Sequence, residues 1–134
     1  MHIKAKRVVA IILSVFVLAC FATTVSAVQP RYSFTRSCTI SLSFSGTTAN
    51  CLIRVYGFSN VTSITEVNIT LTDSKGTTVG EWKDLSSTGQ DFSYFNTVPN
   101  LTKGEIYTLS FTAKVNANTN SENISGSSSN DCPK

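Results

Sequence analysis

Beyond its first thirty or so residues, the chain alternates hydrophobic and polar positions. In Cys38-Thr-Ile40-Ser-Leu42-Ser-Phe44 every even position is apolar and every odd one is Ser or Thr. Tyr107-Thr-Leu109-Ser-Phe111-Thr-Ala113-Lys-Val115 repeats the pattern on odd numbers, and Val67-Asn-Ile69-Thr-Leu71 and Cys51-Leu-Ile53-Arg-Val55 add two shorter cases. A period of two with one polar face is the signature of half-buried antiparallel strands. No stretch carries the i, i+3, i+4, i+7 spacing of a packed helix, and Ser and Thr, more than a quarter of all residues, disfavour helix further.

Turn signals separate the runs: Ser45-Gly46, Asp73-Ser-Lys-Gly76, Gly89 and Lys103-Gly104, with Pro99 in the connection before the longest strand. The pattern predicts seven strands, near 31–36, 38–45, 49–58, 62–72, 77–84, 91–97 and 105–116, and allows an eighth, short one at 121–127. Short strands punctuated at this spacing predict an all-β fold, an immunoglobulin-like antiparallel β-sandwich of seven or eight strands over residues 28–130. The Ser- and Gly-rich end, 125–134, reads as a flexible tail.

The first 27 residues have a different organisation. Lys4, Lys6 and Arg7 precede an apolar run from Val8 to Ala22, and Val25-Ser26-Ala27 supplies small residues at its exit. This is the layout of a secretory signal peptide cleaved after Ala27. Two rival readings bear on location. The run is about long enough to span a membrane, although Thr23, Thr24 and Ser26 dilute its last turn and no cationic stop follows. Val17-Leu18-Ala19-Cys20 also resembles a lipobox, which would make the protein a membrane-anchored lipoprotein through Cys20.

Cleavage changes the charge. The formal net charge of +3 rests on eleven Lys and Arg against eight acids, and three of the eleven lie in the leader. Eight bases and eight acids remain, scattered along a neutral domain. Nucleic acid is therefore excluded as a partner, since affinity for phosphate needs clustered Lys and Arg; the same argument excludes anionic surfaces. The sole histidine, His2, leaves with the leader. That removes Ser-His-Asp and Cys-His catalysis and any His-containing zinc site. No phosphate-binding loop, dinucleotide fingerprint or calcium loop is present. A carboxylate pair among Glu81, Asp84 and Asp91 is the one hydrolytic option left, and so small a domain has little room for a cleft. The chain reads as a non-enzyme with no catalytic residue, cofactor or metal.

Ser37-Cys-Thr-Ile-Ser-Leu-Ser-Phe-Ser-Gly46, Thr48-Ala-Asn-Cys51, Gly57 at the end of the next strand, and Trp82 after a Gly-bearing turn together resemble a group of small secreted proteins of Gram-positive gut bacteria. The resemblance implies a signal peptide, one β-sandwich domain and an extracellular bacterial protein. The group has no characterised activity, and no catalytic residue carries over from it. Cys132 departs from its pattern.

Three cysteines remain after cleavage, and secretion favours one disulfide with one odd thiol. Cys38–Cys51 is the local choice, closing a short loop worth about 3 kcal/mol in the chain-entropy model. A two-residue turn at Ser45-Gly46 would place Cys51 opposite Ile40, with Cys38 a diagonal neighbour near the limit for bridging. Cys38–Cys132 is the rival, and a fully reduced, buried set is the third option. Four Asn-x-Ser/Thr sequons, at Asn60, Asn68, Asn100 and Asn123, are near the number chance gives in so Asn-, Ser- and Thr-rich a chain.

The aromatics carry the positive hint of function. Trp82, Tyr107 and Phe111 fit a core. In Asp91-Phe-Ser-Tyr-Phe95, Phe92 and Tyr94 share one face while Phe95 takes the other, so Tyr94 and Phe95 are the candidate contact residues. The sequence thus points to a secreted, non-enzymatic β-sandwich that binds a protein or glycan at the cell surface or serves as a surface or matrix component. The alternative is a carbohydrate-binding module that stacks sugars on surface aromatics.

Overall fold

The computed structural model describes residues 32–134. The Ala27 cleavage point, Cys20 and the rest of the leader lie outside the described residues.

Among the described residues seven strands form: β1 (Thr35–Ser45), β2 (Thr48–Gly57), β3 (Val61–Asp73), β4 (Thr78–Thr88), β5 (Asp91–Val98), β6 (Ile106–Ala117) and β7 (Ser121–Asp131). They build a three-stranded sheet ordered β1-β2-β5 and a four-stranded sheet ordered β4-β3-β6-β7, with every pair antiparallel. Hairpins join β1 to β2, β3 to β4 and β6 to β7, while β5 returns to the first sheet beside β2. The architecture is the expected immunoglobulin-like sandwich. It differs from the constant-domain arrangement in one respect: the fourth strand pairs with β3 in the second sheet instead of extending the first.

The alternating positions supply the core. Leu42, Cys51, Ile53 and Val55 from the first sheet meet Ile69, Leu71, Leu109, Phe111 and Val115 from the second, all buried. Tyr107 is also buried, and its hydroxyl accepts a hydrogen bond from the Thr102 N–H at 2.9 Å, so the ring's one polar atom is satisfied. Trp82 is only partly buried and packs against the core from the side.

Two expectations are corrected at the ends of the domain. The two strands expected at 31–36 and 38–45 are one continuous strand, β1, which begins at Thr35 and leaves residues 32–34 outside it. The chain end is not a loose tail: Ser121–Asp131 pairs with β6 from Ile106↔Asp131 to Asn116↔Ser121. A Ser-rich sequence gives little side-chain signal for a strand, but ladder hydrogen bonds do not depend on side chains. Ile124 and Cys132 then anchor both halves in the core. Gly126 is required between them, because a Cβ there would lie 2.9 Å from Cε1 of Phe111.

The β1–β7 flank of the sandwich is closed by polar groups. Glu122 Oε1 accepts from the N–H groups of Phe34 (2.6 Å) and Thr35 (2.8 Å), and Oε2 accepts from Ser33 N–H at 2.9 Å. The Thr35 hydroxyl adds a fourth bond at 3.2 Å. Asn130 Nδ2 donates to the Leu42 carbonyl at 3.0 Å, further along the same flank. On the opposite flank Trp82 and Tyr94 meet with ring centroids 5.9 Å apart.

Charge-assisted bonds to partly buried amides are worth more than neutral ones. Glu122→Ala is expected to cost about 2–3 kcal/mol, lowering the melting temperature by roughly 10–15 °C for a domain of this size. Glu122→Gln, which keeps an acceptor for Phe34 and Thr35, should lose less. Thermal unfolding followed by circular dichroism checks this; an alanine variant that melts with the parent would remove the clamp from the account.

Candidate functional site

β3 departs from simple alternation, and the departure builds a site. Its buried residues are Val61, Ile64, Val67, Ile69 and Leu71, so the first two intervals are three residues and not two. Each extra residue must leave the ladder, and the register against β6 shifts between Val61 and Ser63 and again between Thr65 and Asn68. Glu66 is the extra residue at the second shift and takes a left-handed backbone, φ 52°. β4 does the same between Trp82 and Leu85, where Asp84 has φ 55°. A residue with a Cβ pays roughly 1 kcal/mol or more for that conformation.

Asn68 offsets the strain at both places. Its Nδ2 donates to the Glu66 carbonyl and its Oδ1 accepts from the Asp84 N–H, each at 3.1 Å. The paired bulges flank an open groove of about 510 Å³ on the outer face of the four-stranded sheet. Glu66, Asn68 and Asp84 form one wall, and Thr112, Lys114, Asn123 and Ser125 from β6 and β7 form the other. Register places Thr112 between Asn68 and Ser125, and Lys114 between Thr65 and Asn123. Lys114 Nζ lies 3.9 Å from Glu66 Oε2, a long and solvent-exposed ion pair of little strength. Carboxylates, an ammonium, an amide and hydroxyls therefore face one concavity, which suits a polar ligand. Among the described residues no three His, Cys, Asp or Glu side chains converge as metal ligands.

The carboxylates considered from sequence do not come together. Glu81 pairs with Lys83 on its own strand at 2.6 Å, Asp84 enters the groove, and Asp91 lies on β5 in the other sheet. Glu66 was missed. The signal for it was present: Val61, Ile64 and Val67 at intervals of three, within a run of strand-forming residues, mark an inserted residue at each step.

Tyr94 and Phe95 are also separated. Tyr94 sits opposite Ile53 on the inner side, half-buried between Trp82 and Phe92, with ring centroids at 5.9 and 6.5 Å. Phe95 sits opposite Leu52 on the outer face of the three-stranded sheet and is 60% exposed. They form no common surface, and Phe95 alone is presented. Around it on that face stand Ser41, Ser43, Asn50, Ser93 and Thr97, with Arg54 beyond.

The cysteine pairing is corrected as well. The hairpin turns at Gly46 and Thr47, one residue later than expected, so Cys51 faces Leu42 and Cys38 faces Val55. Four ladder positions separate the two, about 13 Å at the rise of a strand, against a limit near 7 Å for bridged Cα atoms. Cys132 Sγ lies 3.8 Å from the Gly46 carbonyl, at the far end of β1 from Cys38. No disulfide forms among the described residues.

No family model matches the chain, and no curated protein sequence does. Among solved structures it is similar to part of a β-D-glucuronidase from Dictyoglomus thermophilum, at 13% identity and TM-score 0.38, over 69% of this chain and 14% of that one. It is likewise similar to part of a β-glucuronidase from glycoside hydrolase family 2, at 10% identity and TM-score 0.39, over 68% of this chain and 11% of that one. The chain thus spans a small fraction of either enzyme, and no residue role is carried over from them.

Burial pushes the thiols of Cys38 and Cys51 up from 9.0 to about 11. Between these values the folded state keeps protons that the unfolded chain releases. Stability from these groups is therefore complete below about pH 9 and is lost as pH rises towards 11. Urea unfolding midpoints should fall across that window, and less steeply in Cys51→Ala than in the parent. Equal slopes would show that the thiolate penalty is absent.

Proposed function

We propose that the chain is a secreted, non-enzymatic binding module that stacks a glycan on the outer face of its three-stranded sheet. The observation that carries this reading is Phe95, a ring 60% exposed in the middle of a strand. Strand backbone fixes its position, so little conformational freedom is lost on binding. Leu52 beside it extends the apolar platform. The hydroxyl and amide groups of Ser41, Ser93, Asn50 and Thr97 surround that platform. An apolar ring edged by short hydrogen-bonding side chains matches the faces of a sugar, whose axial C–H groups pack on rings while its hydroxyls pair at the rim.

An assembly role through open strand edges has less support. β4 carries Glu81, Lys83 and Asp84 on its edge, with a bulge at the last, and such features discourage pairing. The segment 32–35 covers the first half of β7 through Glu122, and Tyr32 Oη accepts from Ser125 N–H at 3.4 Å. On β5 the Thr97 N–H is taken by Asn96 Oδ1 at 2.8 Å.

A glycan array followed by pull-down on the insoluble polysaccharide it identifies provides the test. Phe95→Ala should weaken binding about tenfold or more through the lost apolar contact and leave the melting temperature unchanged. Tyr94→Ala should instead lower stability by about 1–2 kcal/mol through the lost ring contacts. An array with no bound glycan, or retention by Phe95→Ala equal to the parent, would overturn the reading.

A further inference from the structure

The groove on the four-stranded sheet lies on the opposite side of the sandwich from Phe95, and its chemistry is different. We infer that it is a separate binding site for an oligosaccharide carrying a free amine, with the amine at Asp84 and the sugar hydroxyls along Thr112, Lys114, Asn123 and Ser125.

Shape comes first. The concavity of about 510 Å³ falls within the range of small-molecule sites. It crosses four strands, from Asp84 on β4 to Ser125 on β7. Three strand spacings make that a path of roughly 14 Å, which suits an extended chain of two or three sugar rings better than a compact ion.

The second observation is which groups are already engaged. Asn68 spends both ends of its amide on the backbone of the two bulges, so it shapes the wall and has little left for a ligand. The side chains of Asp84, Thr112, Asn123 and Ser125 make no hydrogen bond or ion pair among the described residues. Donors and acceptors of three kinds are thus displayed together and uncommitted.

Charge selects within the sugars. The lining holds two carboxylates, Glu66 and Asp84, against one ammonium, Lys114, so the groove carries one formal negative charge in excess. Asp84 makes no ion pair among the described residues. An acidic sugar would add to that excess of negative charge. A neutral one would leave Asp84 unused, whereas an ammonium group on the sugar would pair with it while the hydroxyls meet the uncharged end. The strand backbone beneath Thr112 and Ser125 holds that end in a fixed array, with Thr108 and Ser129 continuing the same hydroxyl rows, 2.8 Å apart.

The experiment is an amide-resolved NMR titration of the isotope-labelled protein with the tetramer of β-1,4-linked glucosamine, at a pH where its amines are protonated. The fully N-acetylated tetramer, which lacks the charge, is the comparison. The expected result is saturable shifts of the Thr112, Lys114, Asn123 and Ser125 amides with the free-amine tetramer and none with the acetylated one. Asp84→Asn should weaken binding about tenfold; Asn adopts the left-handed backbone readily, so the bulge is kept. Phe95→Ala should bind as the parent does. The inference is overturned by an absence of shifts at millimolar tetramer, by equal binding of both tetramers, by shifts confined to the Phe95 face, or by unchanged affinity in Asp84→Asn. Since Phe95→Ala is silent in this titration and reports on the other face, either site can fail alone.

Discussion

The structure depends on holding the apolar side chains of β3 inward along a strand that has too many residues to do so by alternation. β3 lies between β4 and β6 and contributes Val61, Ile64, Val67, Ile69 and Leu71 to the core. A regular strand would send Ile64 and Val67 to opposite faces, placing one branched side chain in water and its polar neighbour in the core. That exchange would cost about 1.5–3 kcal/mol for the apolar group alone. A left-handed residue costs less, so the chain inserts Glu66 as a bulge. β4 must follow with a bulge of its own at Asp84 to keep Trp82 and Leu85 on the inner side. The groove is a consequence of this core constraint: two residues expelled from the ladder, Glu66 and Asp84, line it beside ladder residues of β6 and β7.

The same economy explains how the sandwich closes without a disulfide bond among the described residues. Its two flanks differ. On one, Glu122 gathers the amides of Ser33, Phe34 and Thr35, and Asn130 takes the Leu42 carbonyl. On the other, Trp82 and Tyr94 interlock, and Val98 reaches Gly80, where a Cβ would lie 2.9 Å from its Cγ2. Polar and aromatic side chains thus fasten the sheets at their edges, and Cys51 and Cys132 fill volume inside the core. With the flanks spent on stability, the proposed binding reading places recognition on the two outer faces. Tyr94 belongs to the first category and Phe95 to the second, although they are adjacent in sequence.

Alternation made the central strands readable. Residues 38–45 and 105–116 announce themselves because one face is apolar and the other is mostly Ser or Thr, and 49–57 because Cys51, Ile53 and Val55 alternate; the structure places strands in all three. Where side chains carry no contrast the reading fails. In 125–131 small polar residues hide a strand held by backbone pairing, with Ile124 and Cys132 as its only large anchors. The cysteine pairing failed on a smaller matter. Moving the turn by one residue, from Ser45-Gly46 to Gly46-Thr47, changes the partner of Cys51 from Ile40 to Leu42 and doubles its offset from Cys38. Register is sensitive in just this way, because each step of the turn shifts the opposing strand by two. The candidate groove was legible only as an irregular interval, three in place of two, which periodicity arguments treat as noise.

Two faces of unlike chemistry on one neutral body have a consequence for how the domain would act. In the reading proposed above, an apolar ring on one side and a polar, singly charged groove on the other bind different parts of a glycan, or two glycans. With eight bases and eight acids beyond Ala27, long-range steering is weak, and encounter would proceed at the modest rates of uncharged partners. Residence at a polymer then has to come from repeated short-range contacts and not from attraction at a distance. A domain that engages polymer chains on both faces gains that residence through effective concentration, since the second contact is intramolecular once the first is made. It also links the chains it holds. In that reading a surface or matrix role would need no open strand edge, since two rigid faces, back to back across one core, would join two polysaccharide strands.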